Sequence, residues 1–226
     1  MMEAALALIG VVIVGAGRSE RMGADKMFLA LAGRPLLAWS VDICQSYQLL
    51  SQIAVVLNES NLDLGCNLVA ERKWSKVGAV CVGGKRRQDS VRAGLMALQG
   101  CEWVIVHDGA RPFLTVDLID AGLVAARETG AATAAIPVKD TIKLSDSDGM
   151  VRETLKRGRL WKVQTPQVFR FDVIMRAYEQ NDDDVTDDAS LVERSGGKVK
   201  LYMGSYRNVK ITTPEDLALA EVFARW

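Results

Sequence analysis

The chain reads as an α/β protein with a mostly parallel sheet and helices on both faces. Three observations predict this: short, continuously apolar runs recur along the chain, helical patterns fall between them, and no repeat, linker or low-complexity segment breaks the series. Strands buried on both faces lose the in–out alternation of a half-solvated sheet, and intervening helices supply the crossovers that parallel pairing requires. Strands are expected at Leu8 to Val14, Gln52 to Leu57, Val77 to Val82, Trp103 to Val106 and Ala132 to Val138. Helices are expected at Leu36 to Cys44, Gln88 to Leu98 and Asp117 to Glu128.

The pattern changes after Val138. Residues 140–156 alternate and contain Asp148-Gly149, a strong turn pair, so this stretch is expected to be a protruding β-hairpin arm. An arm of this kind is suited to crossing to another subunit. The chain then returns with an extended run from Trp161 to Phe169, a helix from Asp172 to Tyr178 and a second helix after Thr186. Two further strands are expected at Lys198 to Met203 and Asn208 to Ile211, followed by a last helix. Thr213-Pro214-Glu215-Asp216 gives that helix an N-cap, a proline in the first turn and acids at the positive end of its dipole. Residues 1–226 are read as one Rossmann-like domain with the arm at about 140–156.

Composition narrows the function classes. At 226 residues, 49% apolar and 25% charged, the chain has the make-up of a soluble enzyme-sized domain. Acidic and basic residues balance at 28 each, so no global field favours nucleic acid, and a polyanion site must be a local cluster of cations. Cys44, Cys66, Cys81 and Cys101 form no CxxC, and the chain has 1 histidine, which excludes zinc-ligand spacing and points to reduced thiols and a cytoplasmic location. The apolar run from Ala4 to Val14 is too short to span a bilayer, and it has no basic segment before it, so neither a membrane anchor nor a signal peptide is expected.

The first expected strand opens into GAGRSERMGADK at Gly15. A dinucleotide fingerprint requires glycine where Glu20 stands, and the Walker form GxxxxGK[ST] is absent. What remains is a small-residue turn, Gly15, Ala16 and Gly17, followed by Arg18, Arg21 and Lys26. Small residues let backbone N–H groups approach a nucleotide, and the cations can neutralise its phosphates. Taken alone, the same stretch reads equally as a strand-to-helix turn with solvated basic residues.

Further segments occur in order: GGKRRQDSVRAGL from Gly83, VIVHDGARPF from Val104, IPVKDTIK from Ile136, LWKVQTPQVF from Leu160, VTDDASLVE from Val185 and VKITTPEDLALAE from Val209. Together with the glycine turn they resemble the 2-C-methyl-D-erythritol 4-phosphate cytidylyltransferase family of the non-mevalonate isoprenoid pathway, from about Ile9 to Ala224. The resemblance implies transfer of the cytidylyl group of CTP to a sugar-alcohol phosphate with Mg²⁺, release of pyrophosphate, and a homodimer with shared active sites. No nucleic-acid or membrane partner is implied.

Residue by residue, the resemblance gives Arg21, Lys26 and Lys210 as triphosphate and transition-state cations. Gly15, Ala16, Gly17, Gly84, Lys85, Arg87, Ser90 and Asp108 become nucleotide-binding, with Asp108 also the metal ligand. Arg111, Thr141, Arg157, Thr165, Thr186 and Asp187 become the alcohol-phosphate site, Thr141 and Arg157 reaching the partner's site from the arm. Bland readings stand beside these: a surface lysine or arginine, a helix cap at Ser90, a solvated acidic helix start at NDDDVTDDAS. His107 is read as structural, because an anionic phosphate nucleophile needs no base. The chain departs from the family pattern at Ser19, where a glycine is expected, at Asp25, where a proline is expected, at Met27, where a glutamine is expected, and at Lys85, often an aspartate. Three rivals are a ribitol-5-phosphate cytidylyltransferase, a guanylyltransferase of the molybdenum-cofactor type, which HDGARP and TPQ disfavour, and a catalytically silent nucleotide-binding protein on the same scaffold.

Overall fold

A computed structural model describes residues 8–17, 26–181 and 183–226. Its main sheet is built from β1 (Ile9–Gly15), β4 (Leu50–Leu57), β5 (Val77–Val82), β6 (Trp103–Asp108), β7 (Ala131–Pro137), β10 (Trp161–Arg170) and β11 (Lys200–Met203), while β2 (Ala30–Leu31) and β3 (Arg34–Pro35) pair as a separate short ribbon. Across the sheet the order is β11-β7-β10-β6-β1-β4-β5. Every neighbouring pair is parallel except those of β10, which runs antiparallel to both β6 and β7. The doubly covered, mostly parallel sheet is the one expected.

Strand alternation sorts the core into two layers. From β1, Val11 and Ile13 join a cluster with Leu37 and Val41 of α1 (Leu36–Ser46), Leu68 of α2 (Leu62–Arg72), Ile119 of α4 (Val116–Thr129) and Ala220 of α7 (Pro214–Phe223). Val12 points to the other face, against Val91 and Leu95 of α3 (Arg87–Ala97), Ala177 of α5 (Phe171–Gln180) and Leu191 of α6 (Asp188–Arg194).

Register sets the strand ends side by side. Gly15 of β1 pairs with Leu57 of β4, which pairs with Val82 of β5, and Val14 pairs with Asp108 of β6. Four parallel strands therefore stop along one line, and the loops that follow them share one rim, the usual ligand edge of an open α/β sheet. On β10 the register shifts between Val163 and Gln167, a bulge that accommodates Pro166 in a central strand and turns Thr165 towards Asp108.

The arm is a hairpin of β8 (Lys143–Ser145) and β9 (Val151–Thr154). Asp146 accepts the Asp148 and Met150 N–H groups across the turn, and Gly149 takes the positive φ of 79° that the Asp-Gly pair predicts. Helix α7 begins as expected: Thr213 caps it, Pro214 occupies the first turn, and Asp216 completes a reciprocal capping box.

Two expectations need correction. Residues 208–211 are a loop and not a strand, because Val209 N–H closes a turn on the Arg207 carbonyl, the Asn208 carbonyl is taken by side chains and Ile211 N–H bonds the Ala110 carbonyl, which leaves no ladder. Helix α2 was not anticipated. It buries only Gly65 and Leu68, too narrow a stripe to register as periodicity.

Helix α3 approaches the sheet through Gly94, where a Cβ would lie 2.3 Å from Val12 Cγ1 and 2.9 Å from Val56 Cγ2. These are stiff, β-branched side chains in central strands, with no room to yield. Gly94→Ala is expected to cost roughly 1–3 kcal/mol by overpacking. Urea denaturation measures it, and a wild-type midpoint would mean that α3 shifts freely.

Candidate active site

Two loops meet at the rim of the sheet because one is glycine and the other alanine at the point of contact. A Cβ on Gly83 would stand 2.2 Å from Ala16 Cβ and 2.7 Å from Ser90 Oγ. Ser90 accepts the Gly84 N–H (3.1 Å) and donates to the Arg86 carbonyl, so it ties the GGK loop to α3 and does not cap the helix. The N-cap position is Arg86, whose N–H and guanidinium both donate to the Asp89 carboxylate. The opening of α3 thus presents its backbone N–H groups and dipole to a cavity of about 510 Å³. Gly15, Ala16, Gly17, Lys26, Gly84, Lys85, Arg87, Ser90, Asp108 and Lys210 all line it. Of the residues expected at the nucleotide or as its cations, only Arg21 lies outside the described residues, as does Arg18.

Asp108 stands at the centre, 6% exposed at the end of β6. Lys210 Nζ is 2.8 Å from its Oδ2, Arg87 Nε 3.4 Å from its Oδ1, and Arg111 Nε 3.5 Å from its Oδ2. Burial pushes the carboxyl pKa up, but Arg87, Lys210 and Arg111 outweigh it and hold Asp108 well below the usual carboxylate range. It is an anion throughout the working pH range. Arg87 is shared: its Nη1 also bonds the fully buried Asp188 at 2.7 Å, and Tyr178 Oη donates to the same carboxylate.

Among the described residues no cluster of three or more His, Cys, Asp or Glu side chains is placed to hold a metal. A single ionised carboxylate facing a phosphate-sized cavity does fit Mg²⁺, which takes one or two carboxylates and completes its octahedron with water and substrate phosphates. Any ion here depends on the nucleotide for its remaining ligands.

A second cavity of about 390 Å³ adjoins the first and shares Arg87, Asp108 and Lys210 with it. Arg111, Thr165, Thr186 and Asp187 all line it. Asp187 is largely committed: it caps α6 through Ser190 and accepts from Gln167 Nε2 at 2.8 Å. Thr141 and Arg157 line neither cavity of their own chain. Both are exposed at the arm, and Arg157 Nη1 donates to the Lys139 carbonyl.

His107 is fully buried behind Asp108. The Arg111 carbonyl can only accept, so His107 Nε2 carries the hydrogen and donates to it at 3.0 Å, while the Thr165 hydroxyl donates to Nδ1 at 3.2 Å. Thr165 Oγ1 in turn accepts the Asp108 N–H. Burial lowers the imidazole pKa to about 4, opposed by the Arg111 carbonyl and Asp108. His107 is neutral and wholly used in holding its neighbours.

Several residues of this rim were not anticipated. Asn58 and Glu59 line the first cavity, Thr133, Gln167 and Ser190 the second, and Asp188 and Asn208 stand behind it. Thr133 did carry a signal, being a polar side chain inside an otherwise apolar strand.

The depressed His107 pKa has a consequence for stability. An unfolded histidine takes up a proton near pH 6.5, whereas the folded one resists until about pH 4. Its contribution is complete above pH 6.5 and is lost as pH falls to about 4, an integrated loss of about 3 kcal/mol. Denaturant unfolding measured across that window is expected to show this component in wild type and not in His107→Gln. Parallel pH profiles for the two proteins would refute it.

The model of the 2-C-methyl-D-erythritol 4-phosphate cytidylyltransferase family matches residues 9–225. A relative named as that enzyme in Dehalococcoides mccartyi strain CBDB1 is 50% identical over 218 residues, 96% of this chain and 96% of its own. Another, from Alkaliphilus oremlandii, is 43% identical over 93% of this chain and 92% of its own. Among solved structures, the 4-diphosphocytidyl-2C-methyl-D-erythritol synthase of Anaerococcus prevotii superimposes with a TM-score of 0.85 at 30% identity, covering 97% of this chain and 99% of that one. The Thermus thermophilus cytidylyltransferase gives 0.79 at 32% identity, covering 96% and 98%. With a family model spanning nearly the whole chain and a relative at half identity over the same length, the chain belongs to the 2-C-methyl-D-erythritol 4-phosphate cytidylyltransferase family.

Proposed function

We infer that this protein joins CTP and 2-C-methyl-D-erythritol 4-phosphate to give 4-diphosphocytidyl-2-C-methyl-D-erythritol and pyrophosphate. The observation that carries the reading, beside family membership, is that two cavities share a wall made of Arg87, Asp108 and Lys210. A phosphate oxygen of the alcohol substrate attacks the α-phosphorus of CTP, a P–O bond forms, and the α–β bridging bond breaks with its electron pair leaving on pyrophosphate. The nucleophile is already anionic, so no general base is required, in keeping with a neutral, fully engaged His107. Ribitol 5-phosphate presents a similar polyol and terminal phosphate, but the relatives' names favour the methylerythritol substrate.

The roles of individual residues follow from charge and place. Gly15, Ala16 and Gly17 with the α3 terminus cradle the triphosphate, and Lys26, Lys210 and Arg21 meet the negative charge that builds on the departing pyrophosphate. Ser90 and the Gly84–Lys85 backbone face the cytosine. Arg111, with Thr165, Thr186 and Asp187, receives the alcohol phosphate, for which a planar guanidinium offers two parallel donors. Mg²⁺, bound by Asp108 together with the nucleotide, would neutralise phosphate charge and align the α-phosphorus.

A homodimer is part of the same proposal. Leu144, Met150 and Val151 on the arm are 48%, 68% and 58% exposed, an apolar surface that calls for a partner. Thr141 and Arg157 lie outside their own chain's cavities, which supports their serving the partner's site. Among the described residues no helix is long and apolar enough to cross a membrane, and the four cysteines are unpaired, which supports a reducing, cytoplasmic setting.

Pyrophosphate release with CTP and Mg²⁺ tests the reading, with 2-C-methyl-D-erythritol 4-phosphate and ribitol 5-phosphate offered separately. Release with the first alone is expected; release with the second alone would move the enzyme to another pathway. Asp108→Asn is expected to abolish turnover, and near-normal activity would remove Asp108 from the metal. Lys210→Ala is expected to raise the barrier by about 3–4 kcal/mol, read as lost kcat, and a change confined to KM would contradict a transition-state role. Mixing Asp108→Asn with Arg157→Ala subunits is expected to restore activity that neither has alone, and continued silence of the mixture would rule out sites shared between subunits.

A further inference from the structure

The segment that carries Lys210 is fastened at both ends to the loop that carries Arg111. At the far end, Ile211 N–H donates to the Ala110 carbonyl at 2.8 Å. At the near end, the Asn208 carbonyl accepts Arg111 Nη1 at 2.7 Å. Lys210, between the two, meets Asp108. Lys210 is two residues from Asn208 and next to Ile211, so fixing both of these fixes the backbone from which Lys210 reaches Asp108.

What orients Asn208 is its own amide. The side chain is fully buried, and Nδ2 donates to the Thr165 carbonyl at 2.7 Å. That carbonyl lies within the β10 bulge, where ladder pairing is interrupted, and only a side-chain donor reaches it. Because a carbonyl only accepts, the amide orientation is unambiguous, and Asn208 Oδ1 is left buried with no hydrogen-bond partner. An apolar residue of similar size would avoid that orphaned acceptor. The asparagine therefore holds its place through what it donates.

His107 grips the same two residues from the opposite side, at the Arg111 carbonyl and the Thr165 hydroxyl, while Asn208 takes the Arg111 guanidinium and the Thr165 carbonyl. Gln164 Nε2 adds a longer bond to the Asn208 carbonyl and a 2.9 Å bond to that of Ser205.

We propose that Asn208 is a positioning residue for the transfer reaction, the joint that sets Arg111 and Lys210 at their places around Asp108. The proposal rests on the reading of Arg111 as the alcohol-phosphate anchor and of Lys210 as a transition-state cation. The glycine loops and α3, which shape the nucleotide cavity, have no bond to Asn208. Losing its amide is thus expected to spoil the second substrate and the chemical step while leaving the nucleotide held.

The test is steady-state kinetics of the full-length Asn208→Ser enzyme with both substrates, together with equilibrium titration of CTP alone and thermal unfolding. About tenfold higher KM for the alcohol phosphate and about tenfold lower kcat are expected, with CTP affinity within about threefold of wild type. Gln164→Met, which removes the accessory bond and keeps the volume, is expected to move the same parameters less, and it serves if Asn208→Ser does not fold. Wild-type kinetics, or a fall in kcat that only tracks the folded fraction with KM unchanged, would overturn the proposal. Arg111→Ala is the control: an unchanged KM for the alcohol phosphate there would overturn the reading of Arg111 itself. A raised KM in Arg111→Ala beside a wild-type KM in Asn208→Ser would overturn the positioning role alone.

Discussion

The structure is organised around one buried carboxylate. Asp108 leaves water at the end of a central strand, and Arg87, Lys210 and Arg111 close around it within 3.5 Å. A lone buried carboxylate would be neutral or strongly destabilising. Three cations around one anion over-correct, and Asp188 behind Arg87 balances only part of the excess. Three positive against two negative groups leave this cluster with one net positive charge at the point where two cavities meet. Such a rim is complementary to phosphate, and it becomes more so where water is excluded and charges interact more strongly.

The residues that meet there are far apart in sequence and are brought together by sheet geometry. Parallel strands β1, β4, β5 and β6 end in register, so the turn after Gly15, the loop after Val82 and Asp108 itself share one edge. The antiparallel β10 reaches the same edge from the opposite direction, and its bulge brings Thr165 beneath the Asp108 N–H. Lys210 arrives last, on a segment pinned to residues 110 and 111. Two loops can touch at Gly83 and Ala16 only because neither side chain is larger. The narrowness of the first cavity is thus set by backbone approach, with little room left to side-chain choice.

Much of the frame was legible in the chain because its physics is local. Apolar runs placed the strands of the sheet core, the Asp148-Gly149 pair placed the arm's turn, and Thr213-Pro214 placed the start of α7. The failures were of another kind. Helix α2 contributes so little buried surface that its sequence carries hardly any period, and the Lys210 segment has a strand's composition without a neighbour to pair with. At the site, residue types legible through charge or through the motif were found in the cavities: Lys26, Arg87, Asp108, Arg111, Lys210. Those that act by hydrogen bonding behind them, Asn208, Gln167 and Asp188, were not legible, since an amide or acid gains such a role only from partners 20 to about 100 residues distant.

The departures from the family pattern are accommodated in different ways. Met27, at the position where a glutamine is expected, is 1% exposed, and its Sδ would stand 2.8 Å from a Cβ on Gly15 and 3.1 Å from one on Gly109. It is a plug beneath the turns that follow β1 and β6, an unbranched thioether that adapts to irregular space. A glutamine amide at that depth would call for hydrogen-bond partners that a thioether does not, so the exchange alters the packing under the turn. Lys85 differs in kind. It is exposed at the cavity rim, next to a Gly84 whose N–H is already held by Ser90. An aspartate there would contribute an acceptor and a negative charge; the lysine contributes a donor and a positive one. The loop geometry depends on Gly83, Gly84 and Ser90, all of which are kept, so the exchange inverts the charge of the rim without moving the backbone that forms it.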